Sequence, residues 1–213
     1  MSSSDAGSTD TGASLSPALH AQLLGIAAGA IQDGLRGRRP VMRAGDYPVA
    51  LRVLCATFVT LRLQLKLRGC IGNLDANRPL VDDVAHNAYA AAFEDPRFAP
   101  LAEHEFSAIH IHLSLLSATE PLRFVSEEDL LSQLRPHIDG LVLQEGDYHG
   151  TFLPSVWEVL PDPRDFLRHL KRKAGLPEHY WSPSVGIKRY VVEQISGSIT
   201  GGADNAVAAT PVA

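Results

Sequence analysis

From Ser107 to Leu116 the chain alternates without a break. Ile109, Ile111, Leu113 and Leu115 fall on one face of an extended segment, and His110, His112 and Ser114 fall on the other. Side chains on a strand point alternately to opposite sides, so this pattern specifies a strand with one face on a core and one face left polar. A half-covered sheet needs a second layer, and the sequence supplies helices for it. Ser16-Pro17 opens the first, followed by Leu19, Leu23, Ile26, Ala27, Ala30 and Ile31 at helical spacing, with a stop near Gly34 to Gly37. Asn77 to Phe93 predicts the second. Asn77 is its cap, Pro79 lies in the first turn, Asp82 and Asp83 suit the positive end of the dipole, and Leu80, Val84, Ala88 and Ala91 form the buried stripe.

Glu94-Asp95-Pro96-Arg97-Phe98 ends that helix, because a residue before proline avoids the helical region. Ser126 to Asp129 has the spacing of a capping box and starts a short helix to about Leu134. Asp139-Gly140 and Gly146-Asp147 are turn signals around strands at 141–144 and 149–153. Pro154 to Leu160 reads as a short helix, Asp162-Pro163 starts another that Gly175 stops, and 187–192 is a final strand. Pro48 to Leu61 is a β-type run containing Cys55, expected as core, and a hairpin is expected between Phe58 and Cys70. Helices and strands mix without a regular βαβ rhythm, so the prediction is an α+β fold with an antiparallel sheet packed with helices. The 213 residues suffice for one large domain or a domain with a smaller lobe.

The net charge of -5 argues against a broad nucleic-acid-binding surface. The clusters Arg36 to Arg43 and Arg168 to Lys173 read as a solvated linker and a solvated helix end, and they are all that an RNA-binding reading has to rest on. Two cysteines make no disulfide framework and suit a reducing compartment. Met1 to Ser14 lacks the features of a signal peptide and no run of 18 apolar residues occurs, so a cytoplasmic protein is expected. The expected organisation is a tail over 1–14, a domain over 15–195 and a second tail over 196–213.

Chemistry concentrates at Leu65-Lys66-Leu67-Arg68-Gly69-Cys70-Ile71-Gly72-Asn73. Leu65 and Leu67 against Lys66 and Arg68 read as a strand with an apolar face. Gly69 and Gly72 then allow positive φ or close backbone approach, and a tight turn is expected to carry Cys70. A guanidinium lowers the cost of a thiolate, and in an extended chain Arg68 and Cys70 share a face. The opposing reading makes Cys70 a small buried hydrophobe beside two glycines. His110 and His112 are two imidazoles on one strand face, and two ligands do not make a metal site. Asp95 with Arg97 reads as a loop-fixing ion pair or a catalytic one, and Tyr148-His149-Gly150-Thr151 offers hydroxyls and an imidazole beside a hairpin. No phosphate loop, dinucleotide fingerprint or CxxC pair is present, and the reading includes no cofactor and no metal.

These residues resemble the AMMECR domain family, and in particular the protein A members of the AmmeMemoRadiSam system. The matching pieces are Phe58-Val59-Thr60-Leu61, Leu67-Arg68-Gly69-Cys70-Ile71-Gly72, Pro79 to Val84, Asn87-Ala88, Ala91 to Phe93, Asp95-Pro96-Arg97-Phe98, Pro100-Leu101, Ile138 to Leu141, Thr151 to Pro154 and Lys173-Ala174-Gly175. The resemblance runs from about Leu19 to Glu193, and the LRGCIG hexapeptide is its hallmark. It implies an α+β fold of two unequal lobes around an antiparallel sheet, with the hexapeptide near a cleft. It also implies the genomic company of a Memo-type protein and a radical-SAM protein, and a part in a modification system acting on a small-molecule or RNA substrate, but it implies no known reaction. Arg62 to Lys66 departs from the family in lacking its Asn/Gly turn, and His149 stands where an arginine is common.

Two expectations follow. In the first, Cys70 attacks an electrophile or transfers a group, Arg68 orients an anionic group, and His86 or His149 is the base. Gly69, Gly72, Asp95, Arg97, Thr151 and His149 then line the binding site, with Asp95, Arg97 and Thr151 placed there by the motif match. In the second, the chain is a non-catalytic binding or adaptor module and LRGCIG is structural.

Overall fold

The computed structural model describes residues 14–199, which form two compact units. The first holds residues 14–113 and 194–199, and the second holds Ser114–Glu193. The expected tails fall largely outside the described residues. Of the second, 196–198 belong to a strand.

Helix α1 (Pro17–Leu35) starts as the sequence predicts, with Ser16 Oγ accepting from Leu19 N. Its buried face is Leu23, Ala27, Ala30 and Ile31. The chain then makes 3₁₀ turns at Ala44–Asp46 and Val49–Leu51 before strand β1 (Ala56–Leu63). The first half of the expected β run is therefore not strand. Val49, Val53 and Leu54 are exposed there, because Leu54 only bridges to Pro79 and has no sheet face to cover. Cys55, expected in the core, is only partly buried for the same reason.

Strand β2 (Lys66–Gly72) returns antiparallel to β1, with Phe58 opposite Gly72, Thr60 opposite Cys70 and Leu63 opposite Lys66. The hairpin turn is Gln64-Leu65, with φ of 49° and 66°. A two-residue turn with both φ values positive matches the right-handed twist of the strands, and Asn-Gly is the sequence that ordinarily makes it. Here two ordinary side chains are held in the left-handed region, so the turn escapes sequence inspection. Leu65 is consequently 85% exposed and Leu67 41%, so the apolar face expected from these two leucines does not form. Leu65→Gly is expected to raise stability by about 1 kcal/mol, read by urea denaturation, since glycine adopts this φ without steric cost.

Helix α2 (Leu80–Phe93) covers β1 and β2 and packs on α1. Its cap position is Pro79 in place of Asn77. It is buried nearly all round, and its buried polar residues are matched. Asp83 accepts from Thr57 N (2.9 Å), Thr57 Oγ1 (2.7 Å) and Asn87 Nδ2 (3.0 Å). Strand β3 (Ile109–Leu116) has the predicted alternation, with Ile109, Ile111, Leu113 and Leu115 buried. The final strand of the sheet, absent from the sequence reading, lies near the chain's end, at Val192–Ser198. The sheet order is β2, β1, β3 and then this strand.

In the second unit, β4 (Glu120–Pro121) is followed by α3 (Glu127–Gln133), capped by Ser126 Oγ as the box predicts. Strands β5 (Gly140–Glu145) and β6 (Tyr148–Phe152) form the second hairpin. A 3₁₀ turn at Pro154–Glu158 stands where a short helix was expected. Helix α4 (Pro163–Lys173) is capped by the Asp162 carboxylate, and Gly175 at φ 89° ends the turn that follows it. Strand β7 (Gly186–Tyr190) completes a sheet of order β4-β7-β5-β6, antiparallel throughout, and the strand at Val192–Ser198 is then β8. The core is built on Leu130, Leu141, Phe166, Leu170 and Trp157. Trp157 stacks on Phe166 at 3.7 Å between centroids and donates its indole N–H to Asp139 O (2.7 Å).

Candidate functional site

Cys70 lies inside β2 and not in a turn, and neither Gly69 nor Gly72 has positive φ. The glycines serve the second purpose the sequence allowed, close approach. A Cβ on Gly69 would sit inside the van der Waals surface of the Ala91 carbonyl oxygen on α2, and one on Gly72 would meet the Phe58 ring and Thr57 O. The segment is thus a strand pressed against a helix backbone.

Opposite Thr60, Cys70 turns its own N–H and C=O away from β1, and the loop after α2 meets both. The buried Asp95 carboxylate accepts from Cys70 N through Oδ2 (2.8 Å), and Arg97 donates to Cys70 O (3.0 Å). Asp95 and Arg97 also bind each other as a fork, Nε to Oδ1 at 2.9 Å and an Nη to Oδ2 at 2.7 Å, while Oδ1 accepts from Arg97 N (3.1 Å). The Arg97 guanidinium, helped by the N–H groups of Cys70 and Arg97, holds the Asp95 carboxyl far below the usual carboxylate range. Pro96 explains the compactness of the unit: it fixes the chain between the two charged residues so that they close on one another.

The Cys70 thiol is partly buried, and Thr60 Oγ1 donates to Sγ (3.2 Å). On β3, burial pushes the His112 imidazole below its usual value, with Arg62 and His110 adding repulsion. Ser198 Oγ lies 3.1 Å from His110 Nε2. Among the described residues no group of three His, Cys, Asp or Glu side chains is placed to hold a metal ion.

Arg68 is not beside the thiol. The register slips between Leu61 and Arg62, whose partners are Gly69 and Leu67, so Arg68 is the extra residue of a bulge and leaves the regular alternation. Its guanidinium forks onto Glu105, Nε to Oε1 at 2.8 Å and an Nη to Oε2 at 2.9 Å. Glu105 also accepts from Ala102 N, and with Arg68 as the main cause its carboxyl falls to about 2. Both Arg68 and Arg97 lie near the Phe98 ring, at 6.0 and 5.6 Å from its centroid. The cation that does touch Cys70 is Arg97, which donates to its carbonyl and also lies close enough to its side chain to interact with it.

Thr151 and His149 belong to the second unit, on β6. Thr151 Oγ1 donates to Leu141 O (2.8 Å) and meets Tyr190 OH (3.3 Å), so its hydroxyl ties β6 to β5. His149 is exposed, its Nδ1 3.4 Å from Asp147 O. His86 lines a cavity beside Arg39, Arg78, Asp82 and Tyr89. The geometry therefore gathers Cys70, Gly69, Gly72, Asp95 and Arg97 into one constellation and leaves Arg68 bound to Glu105 beside it. Sequence reasoning passed over Thr60 and Glu105. Thr60 was visible within Phe58-Val59-Thr60-Leu61, whereas Glu105, in the 3₁₀ turn Glu103–Ala108, carries no local signal.

An α+β chain with two small sheets, built around a glycine-flanked cysteine clamped by an Asp-Pro-Arg loop, defines a distinct class of domain. The family model AMMECR1 matches residues 24–195, and the chain belongs to the AMMECR1 family. It is similar to a protein of Methanothermobacter thermautotrophicus, 36% identical over 170 residues that cover 79% of this chain and 88% of the relative. A Thermotoga maritima protein is 39% identical over 139 residues, 64% of this chain and 75% of the relative. The crystal structure of uncharacterized protein PH0010 from Pyrococcus horikoshii superposes with a TM-score of 0.70 at 30% identity, covering 82% of this chain and 89% of that one. No helix among the described residues is long and apolar enough to cross a membrane.

Proposed function

We propose that this protein is a cytoplasmic binding module of a three-protein modification system, acting beside a Memo-type and a radical-SAM protein on a small-molecule or RNA substrate. In this reading LRGCIG is the scaffold of the module, and the cleft that the family resemblance implies holds a substrate or partner segment. The supporting observation is that every polar group of Cys70 already has a partner within the chain: its N–H, its C=O and its sulfur. Arg97 is forked onto Asp95 and Arg68 onto Glu105, which occupies the charge of both, while Arg68 Nη1 is buried without a hydrogen-bond partner among the described residues. The competing reading, Cys70 as a nucleophile, is supported by the partial exposure of the residue and by the Arg97 guanidinium close to its side chain.

Alkylation of the Cys55→Ala variant separates the two. A scaffold cysteine in the folded protein should react at least about tenfold more slowly at pH 7 than in the urea-unfolded chain, because packing limits access. Association with the Memo-type and radical-SAM proteins, followed by co-purification, should survive Cys70→Ser. Reaction faster than in the unfolded chain would establish an activated nucleophile and make the transfer reading the better one.

A further inference from the structure

The second unit contains a cavity of about 440 Å³, within the roughly 300–1,000 Å³ of small-molecule sites. Its walls come from the β5–β6 turn (Glu145, Gly146, Asp147, Tyr148) and from the chain after α4 (Gly175, Leu176, Pro177, Tyr180). Among the described residues, no lysine, arginine or histidine lines it.

Glu145 is 9% exposed. Its Oε1 accepts from Tyr180 OH (2.8 Å) and Ser184 Oγ (2.7 Å), while Oε2 is buried without a hydrogen-bond partner among the described residues. Those donors hold the carboxyl below its usual value, so it is an anion at neutral pH. A buried carboxylate oxygen that accepts nothing is costly, and its natural complement is positive charge. Two tyrosines border the same space. Tyr148 is 52% exposed and has no place in the unit's core, and Tyr180 is oriented by its bond to Glu145. Aromatic faces carry negative potential and attract cations that keep some apolar surface. Leu176 and Pro177 complete a wall suited to carbon and not to a strongly hydrated ion. A bare metal ion also demands several oxygen ligands, and no group of three candidate ligands is found among the described residues.

We propose that this cavity binds an organic ammonium cation, its charge toward Glu145 and Asp147 and its carbon skeleton between Tyr148, Tyr180, Leu176 and Pro177. The site does not depend on the role of Cys70.

The test titrates choline, and separately its neutral isostere 3,3-dimethylbutan-1-ol, into the full chain while following the amide resonances of Gly146 and Gly175. Choline should give saturable shifts and the alcohol none at the same concentrations. Glu145→Gln, which keeps an acceptor for Tyr180 and Ser184, should weaken choline about tenfold, and Tyr148→Ala about threefold. Tyr148→Ala truncates an exposed side chain, so it reports on the site even if the Glu145 variant folds poorly. Equal binding of the alcohol, absence of saturable shifts with choline, or unchanged affinity in both variants would overturn the proposal.

Discussion

Gly69→Ala should destabilise the protein by about 3 kcal/mol or more, the upper range for forcing atoms into a packed interior. The new methyl group would overlap the Ala91 carbonyl oxygen, which belongs to a helix backbone and cannot rotate aside. Either α2 lifts from β2 or the strand bends, and both movements disturb a helix buried nearly all round. Equilibrium urea denaturation measures the loss as a lower midpoint at constant slope. Gly45→Ala is the control: among the described residues nothing lies within 4 Å of a Cβ there, so its effect should stay within about 0.5 kcal/mol. A Gly69→Ala protein as stable as the control would mean that the helix is not seated on the strand.

The second large effect is expected from Asp95→Asn. The amide keeps the shape of the carboxylate but replaces one acceptor oxygen with a donor facing Arg97, and it removes the charge that the fork requires. Cys70 N–H, Arg97 N–H and the guanidinium then compete for one oxygen, at a cost of about 3 kcal/mol. The pH dependence follows from the depressed carboxyl of Asp95. Its contribution is complete above the ordinary carboxylate value and declines only as pH falls toward the lower folded value. The stability gap between wild type and Asp95→Asn should therefore be constant from pH 7 to about 5 and shrink progressively under more acidic conditions. Denaturation curves at a series of pH values test this. A gap that widened on acidification would contradict an ionised Asp95 in the fold.

The architecture was legible where the chain repeats itself. The alternation at Ile109 to Leu115, the Ser16, Ser126 and Asp162 caps and the alanine-rich stripe of α2 each express one periodicity or one local hydrogen bond, and each appears in the structure. What escaped depends on distant partners. Gln64 and Leu65 turn the hairpin with no turn residue, because the flanking strands impose their φ values. β8 was missed at its end because Ser196, Gly197 and Ser198 lack large apolar side chains and belong to the sheet by pairing alone. At the site, the hexapeptide and Asp-Pro-Arg were both visible, but 25 residues separate Cys70 from Asp95. Only the fold shows that the second grips the first, or that a single-residue bulge hands Arg68 to Glu105.

The grip on Cys70 has a further effect on how this molecule meets others. β2 is the outermost strand of its sheet, and outward N–H and C=O groups on such a strand are a template for strand addition by any extended chain. At Cys70 that template is already filled. Asp95 supplies the acceptor and Arg97 the donor that an incoming strand would have brought. Because these are side chains, they offer no fresh row of backbone groups to the next comer. The loop therefore blocks strand addition at Cys70, the middle of the outward edge of β2.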